Sequence, residues 1–95
     1  MAALVTLDEV KNRLRIDFND DDVDVLSMAE EATDIVIGYI KQPDHEWTLE
    51  TVPFRIKAAI LLVVSRLYED RSGSEEVLTD AVKRILHRDR DPALA

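Results

Sequence analysis

The chain has 95 residues, no cysteine, only two glycines and three prolines, and a net charge of −8. That length suits one small core with little stability to spare, and the composition excludes collagen-like and disordered classes, a disulfide framework, thiolate metal sites and a cysteine nucleophile. So large an acidic excess argues against nucleic-acid binding, because affinity for phosphates needs clustered lysine and arginine.

Taken in chain order, the first signal is Thr6 followed by Glu9, a capping box that opens a helix. Leu7, Val10 and Leu14 then fall on one narrow face, so the helix is short and ends near Arg15. The next stretch, DFNDDDVD at 17–24, holds five aspartates and one asparagine. Asp17, Asn19 and Asp21 match the first three ligand positions of an EF-hand loop. Asp22 stands where the loop needs glycine, however, and Met28 where it needs a closing carboxylate. The run therefore reads as a helix start, with Asn19 or Asp20 as the cap. Asp21, Asp22 and Asp24 fall in or near the first turn, where negative charge suits the helix dipole.

The second helix is predicted over 21–40. Val25, Met28, Ala29, Ala32, Ile35, Val36, Tyr39 and Ile40 make its apolar arc, and Asp24, Ser27, Glu30, Glu31 and Asp34 its polar one. Gly38 weakens the last turn, and the Gln42-Pro43-Asp44 stretch ends it. Residues 43–52 read as a connecting loop with a short turn or strand, in which Trp47 covers a gap between helices rather than stacking on a ligand.

Pro53 suits the first turn of a third helix, predicted to about Asp70. Its apolar arc holds Phe54, Ile56, Ile60, Leu61, Val63, Val64, Leu67 and Tyr68. Lys57 breaks the pattern on the apolar side, and Leu62 breaks it among Arg55, Arg66 and Glu69 on the polar side. A helix so apolar is central in its domain or covered by another subunit. Ser72 or Ser74 is expected to start a fourth helix, with Val77, Leu78, Ala81, Val82, Ile85 and Leu86 facing inward. Lys83, Arg84, His87 and Arg88 suit its C-terminal end. The expected fold is an all-α bundle of about four helices with two longer central ones. Residues 1–90 form a single domain, and residues 91–95 are a loose tail.

Candidate chemistry is sparse. His45 and His87 lie in separate segments, and neither has a second ligand at metal spacing. Gly38 and Gly73 are the only glycines, so there is no phosphate loop. Ser65 has no base at readable spacing, and Glu30 with Asp34 share a face that reads as solvent-facing. No catalytic, cofactor or metal residues are therefore assigned, and the chain is expected to act through its surfaces rather than as an enzyme. The longest apolar run, 58–64, is too short to span a bilayer, and the N-terminus lacks a signal-peptide layout, so no membrane partner is expected.

Charge is unevenly spread. Residues 16–40 hold eight acids and no lysine or arginine, whereas 83–90 hold four basic residues and one acid. This makes Asp24, Glu30, Glu31 and Asp34 a candidate partner face, and Arg55, Leu62, Arg66, Arg84, Arg88 and Arg90 candidates for a subunit interface.

The opening VTLDEVKNRLRID, the acid-rich DDDVDVLSMAEEATDIVIGYI, then VPFRIKAAILLVVSRLYEDR and a closing LTDAVKRILHR together resemble the head–tail connector, or adaptor, family of tailed bacteriophages. The most specific piece is the proline-started third helix ending in Tyr68, Glu69 and Arg71. His87 stands near a position where the family usually has tyrosine. The resemblance implies a helical structural subunit of the virion's head–tail junction, made in the host cytoplasm. It further implies a ring of about twelve copies that docks under the portal protein and carries a downstream connector or tail-completion protein. DNA would pass through the ring without sequence-specific binding, with Asp24, Glu30, Glu31 and Asp34 as candidate channel-lining residues and the Arg55, Leu62, Arg66, Arg84, Arg88 and Arg90 set as a candidate portal interface. The competing reading is a small acidic regulator of the antitoxin or anti-repressor type, whose acidic face masks a basic partner.

If the aspartate run serves only to start a helix, calcium should not change the melting temperature beyond general ionic screening. A saturable rise at micromolar calcium, followed by circular dichroism, would reveal a binding site, because a ligand of the native state must raise stability.

Overall fold

The computed structural model describes residues 3–41, 45–69 and 78–87. It contains α1 (Leu7–Leu14), α2 (Asp22–Ile40), α3 (Phe54–Glu69) and α4 (Asp80–Leu86), with no strand among the described residues. The most extensive packing is between α2 and α3, with α1 set against both and α4 against α3.

The start of α1 is the expected capping box. Thr6 Oγ1 accepts the Glu9 N–H at 3.1 Å, and Glu9 Oε1 accepts the Thr6 N–H at 2.9 Å. The helix ends on Arg15, which takes a left-handed conformation at φ 58°. Ile16 then donates its N–H to the Lys11 carbonyl at 2.9 Å, an arrangement that closes many helices, most often with glycine in the left-handed place. An arginine there costs about 1 kcal/mol, offset by the burial that the turn gives Ile16. Lys41 ends α2 in the same conformation.

Residues before Thr6 have no place in the helical pattern, yet Leu4 and Val5 belong to the core. Thr33, in mid-α2, holds them there. Its buried hydroxyl donates to the Ala29 carbonyl at 2.8 Å and accepts the Leu4 N–H at 3.2 Å. Thr33 and Ile37 are both buried and widen the α2 arc beyond the expected stripe.

Two side chains of α1 tie it to the long helices. Lys11 Nζ reaches Asn19 Oδ1 at 2.7 Å and Asp22 Oδ1 at 2.9 Å, and so fastens α1 to the start of α2. Glu9 Oε2 meets Lys57 Nζ on α3 at 3.0 Å. Lys57, an anomaly on the apolar side of α3, is thus the partner of the capping-box glutamate. The start of α2 departs from expectation. Its cap is Asp21, not Asn19 or Asp20, and Asp21 makes no side-chain capping bond. The run starts α2 by placing Asp22 and Asp24 in the first turn, near the dipole's positive end.

The loop before α3 contains a turn rather than a strand. Thr48 accepts the Thr51 and Val52 N–H groups on its carbonyl, at 3.2 and 2.9 Å, and the turn lowers Val52 into the core. Trp47 is half-buried against the core and stacks on His45 with ring centroids 5.3 Å apart. Pro53 stands one place before α3, and its carbonyl accepts the Ile56 and Lys57 N–H groups.

Phe54, expected on the apolar arc, is instead 88% exposed. Side chains tilt toward a helix's N-terminus, so the first residue of α3 points off its end, past the packed length. The start of α4 also departs from expectation, lying at Asp80 behind Thr79 and not behind Ser72 or Ser74. Thr79 Oγ1 accepts the Val82 N–H at 3.3 Å, a geometry that places Leu78 before the helix. Val82 and Leu86 are buried as expected, whereas Ala81 is exposed. Ser72, Ser74, Val77 and the 91–95 tail lie outside the described residues.

Thr33→Val keeps the side chain's shape but leaves the Leu4 N–H buried without its acceptor. The expected cost is about 1–3 kcal/mol, read as a lower urea midpoint at unchanged slope. Thr33→Ser keeps the hydroxyl and should lose less. Equal stability of Thr33→Val and the parent would show that this bond does not hold the N-terminal strap.

Acid should weaken the α1–α3 tie. Burial pushes the Glu9 carboxyl up, but the Thr6 N–H, the Lys57 ammonium and the Thr6 hydroxyl together outweigh it and hold the group below its ordinary 4.5. The unfolded chain then takes up the proton first. The contribution is full above 4.5 and is lost as pH falls through the lowered folded value. Glu9→Gln keeps an acceptor for the capping box but removes the charge. Its deficit against the parent, measured by urea unfolding from pH 7 down to 3, should shrink to nothing at the acid end. A deficit constant with pH would assign the loss to packing instead.

Candidate functional site

The side chains that could bear chemistry are used locally. Ser65 Oγ donates to the Leu61 carbonyl one turn back, at 3.0 Å, and His45 Nδ1 accepts the Trp47 N–H at 3.2 Å. Among the described residues, no group of three His, Cys, Asp or Glu stands together as a metal would require. What the fold offers is a set of surfaces with opposite charge.

The first is the outer face of α2. Asp24, Glu30, Glu31 and Asp34 are all exposed, with Ser27 and Gly38 among them. A Cβ built on Gly38 meets nothing within 4 Å, so this end of the face is open. Asp22 does not belong to it, because Lys11 has drawn its carboxylate inward. The same side of α2 carries two large apolar residues that lie off the predicted apolar arc, Val23 at 80% exposure and Leu26 at 41%. They are three residues apart and therefore neighbours on the helix surface. The signal was available in the sequence, as two aliphatics off the apolar arc.

The second surface is basic. Arg84 is exposed on α4, and Lys83 is half-buried beside it. Together with Tyr39 of α2, Asp80 and His87, they line an open groove of about 330 Å³. Tyr39 was expected only as part of the core arc, and its ring serves both purposes. Arg88 and Arg90 lie outside the described residues.

The third candidate region, on α3, is mixed. Arg55 is exposed at the start of the helix, whereas Leu62 and Arg66 are half-buried, and Leu62 packs against the core. Leu62 therefore sits at the edge of the apolar face rather than standing out among charges. The structure thus brings Lys83 and Arg84 together in one groove and keeps Asp24, Glu30, Glu31 and Asp34 on one helix face. Arg55 is on a different helix from either set.

No helix among the described residues is long and apolar enough to cross a membrane. A family model described as Phage gp6-like head-tail connector protein matches residues 4–90, which takes in all four helices. No curated protein and no solved structure matches the chain.

Proposed function

The chain belongs to the phage gp6-like head–tail connector family, and from that premise we propose that it is a ring subunit seated between the portal of a filled head and the tail. Membership by itself implies a structural protein of the virion that contacts other head and tail proteins. The finer reading is a ring of about twelve copies with the portal protein on one side and a downstream connector or tail-completion protein on the other. DNA runs through its centre. Residues 1–90 form the connector domain, and residues 91–95 form a tail outside it.

The family match over 4–90 carries this reading, and electrostatics supports it. A subunit of net charge −8 repels phosphates, so a duplex can slide through without adhering. Arg55, Leu62 and Arg66 on α3, with Arg84, Arg88 and Arg90 at the basic end, are the proposed contacts with the portal or with neighbouring subunits. Contacts of this kind at a rim mainly speed encounter and weaken with salt, as the screening length falls from about 10 Å at 0.1 M to about 3 Å at 1 M.

Purified chain mixed with tailless, portal-bearing heads should add a ring of density at the portal vertex in electron micrographs, and should add none to heads that lack a portal. The double variant Arg55→Glu with Arg84→Glu should keep its helical circular dichroism but dock more slowly, most visibly at low salt. Density scattered over the capsid, or none at the vertex, would overturn the reading.

A further inference from the structure

We infer that the outer face of α2 is a docking surface for a second copy of this chain, which receives it in the groove between Tyr39 and α4. The inference rests on the connector reading and names the contact that would join neighbouring subunits. It also assigns the acidic face to a subunit boundary rather than to the channel wall.

The starting observation is apolar. Val23 and Leu26 lie three residues apart on α2 at 80% and 41% exposure. A single exposed leucine needs no explanation. Two large aliphatics side by side at one end of an acidic stripe of Asp24, Glu30, Glu31 and Asp34 combine apolar area with negative charge on one helix face. Such a face calls for a partner with a basic surface and room to accept side chains.

The chain itself supplies both. The groove of about 330 Å³ is lined by the Tyr39 ring with Lys83, Arg84, His87 and one acid, Asp80. Tyr39 and Lys83 are each already engaged within the chain, so the groove's walls are held before anything docks. Arg84 is exposed and carries its charge outward. Valine and leucine can rest on the tyrosine ring and the aliphatic stem of Lys83, while the carboxylates meet the Arg84 guanidinium.

Charge also fixes the kind of contact. Pairing α2 with α2 about a two-fold axis would set Glu30 and Asp34 against their own copies, and like charges repel. Pairing the α2 face with the groove joins opposite signs. Those are two different surfaces of one chain, so the contact is head-to-tail, and each copy keeps one free surface of each kind. Head-to-tail contacts propagate, and they close into a ring when the rotation allows.

The natural chain has no cysteine, so pairing can be read by disulfide trapping. Ser27 lies on the α2 face and Ala81 beside the groove, and both are exposed. Equal amounts of Ser27→Cys and Ala81→Cys chains, one bearing a mass tag, are mixed and oxidised gently. Mixed dimers should exceed their statistical share over the two homodimers, and 1 M salt should remove the excess. Arg84→Glu in the Ala81→Cys chain should lower the mixed yield about five-fold. Glu30→Arg with Asp34→Arg in the Ser27→Cys chain should then restore it. Mixed dimers at the statistical share, or an excess of Ser27→Cys homodimers, would overturn the interface. Normal docking of the parent chain at the portal, with no preferential pairing, removes this contact and leaves the connector reading standing. Preferential pairing without docking supports the contact and removes that reading.

Discussion

Everything in this molecule depends on the aliphatic packing between α2 and α3. The two helices supply most of the fully buried side chains, among them Val25, Val36 and Ile40 from one and Ile56, Ile60 and Val63 from the other. Each large aliphatic taken out of water contributes roughly 1.5–3 kcal/mol, and in a chain this short no second core exists to take over. The short helices are additions to that pair. α1 is too short to be stable alone and holds its place through Val10, through the two ion pairs from Glu9 and Lys11, and through the strap that Thr33 anchors. α4 lays Val82 and Leu86 into the same cluster.

That arrangement also sorts the charge. Lys11 and Lys57 turn inward to α1-mediated ion pairs, with side-chain exposures of 13% and 20%. Half-buried, they stitch helices together rather than presenting their charge at the surface. The acids of α2 beyond its first residue, Asp24, Glu30, Glu31 and Asp34, remain outside. The strongly acidic face is thus partly a consequence of how the core is tied, since basic residues that could have neutralised the surface are committed to holding α1. For a connector subunit this sorting leaves a signed surface for protein contact.

The sequence alone settled the local events. Helix period set α2 and α3, the Thr6–Glu9 pair set the start of α1, and the apolar composition of α3 marked it as either central or covered by another subunit. These follow from interactions within three or four residues, which a linear pattern contains in full. The family, too, was legible, because its signature is carried by the order and spacing of such patterns over residues 4–90.

Tertiary structure decided what depends on residues far apart in the chain. The Lys57 anomaly made sense only once Glu9 stood across from it, and Thr33 gained its purpose only when Leu4 arrived 29 residues away in sequence. Phe54 satisfied the period of the α3 arc and still lies outside the core, because periodicity gives the direction of a side chain but not the length over which a neighbour covers it. The cap of α4 fell to Thr79 rather than to an earlier serine, since its start is fixed by where Val82 and Leu86 meet α3, and several hydroxyls could serve as cap. The groove at Tyr39 joins the end of α2 to α4 across some forty positions of chain, which no residue pattern within one helix can report. Local hydrogen bonding and period are written in the residue order, whereas burial and the faces left uncovered are set by which helices come to lie together.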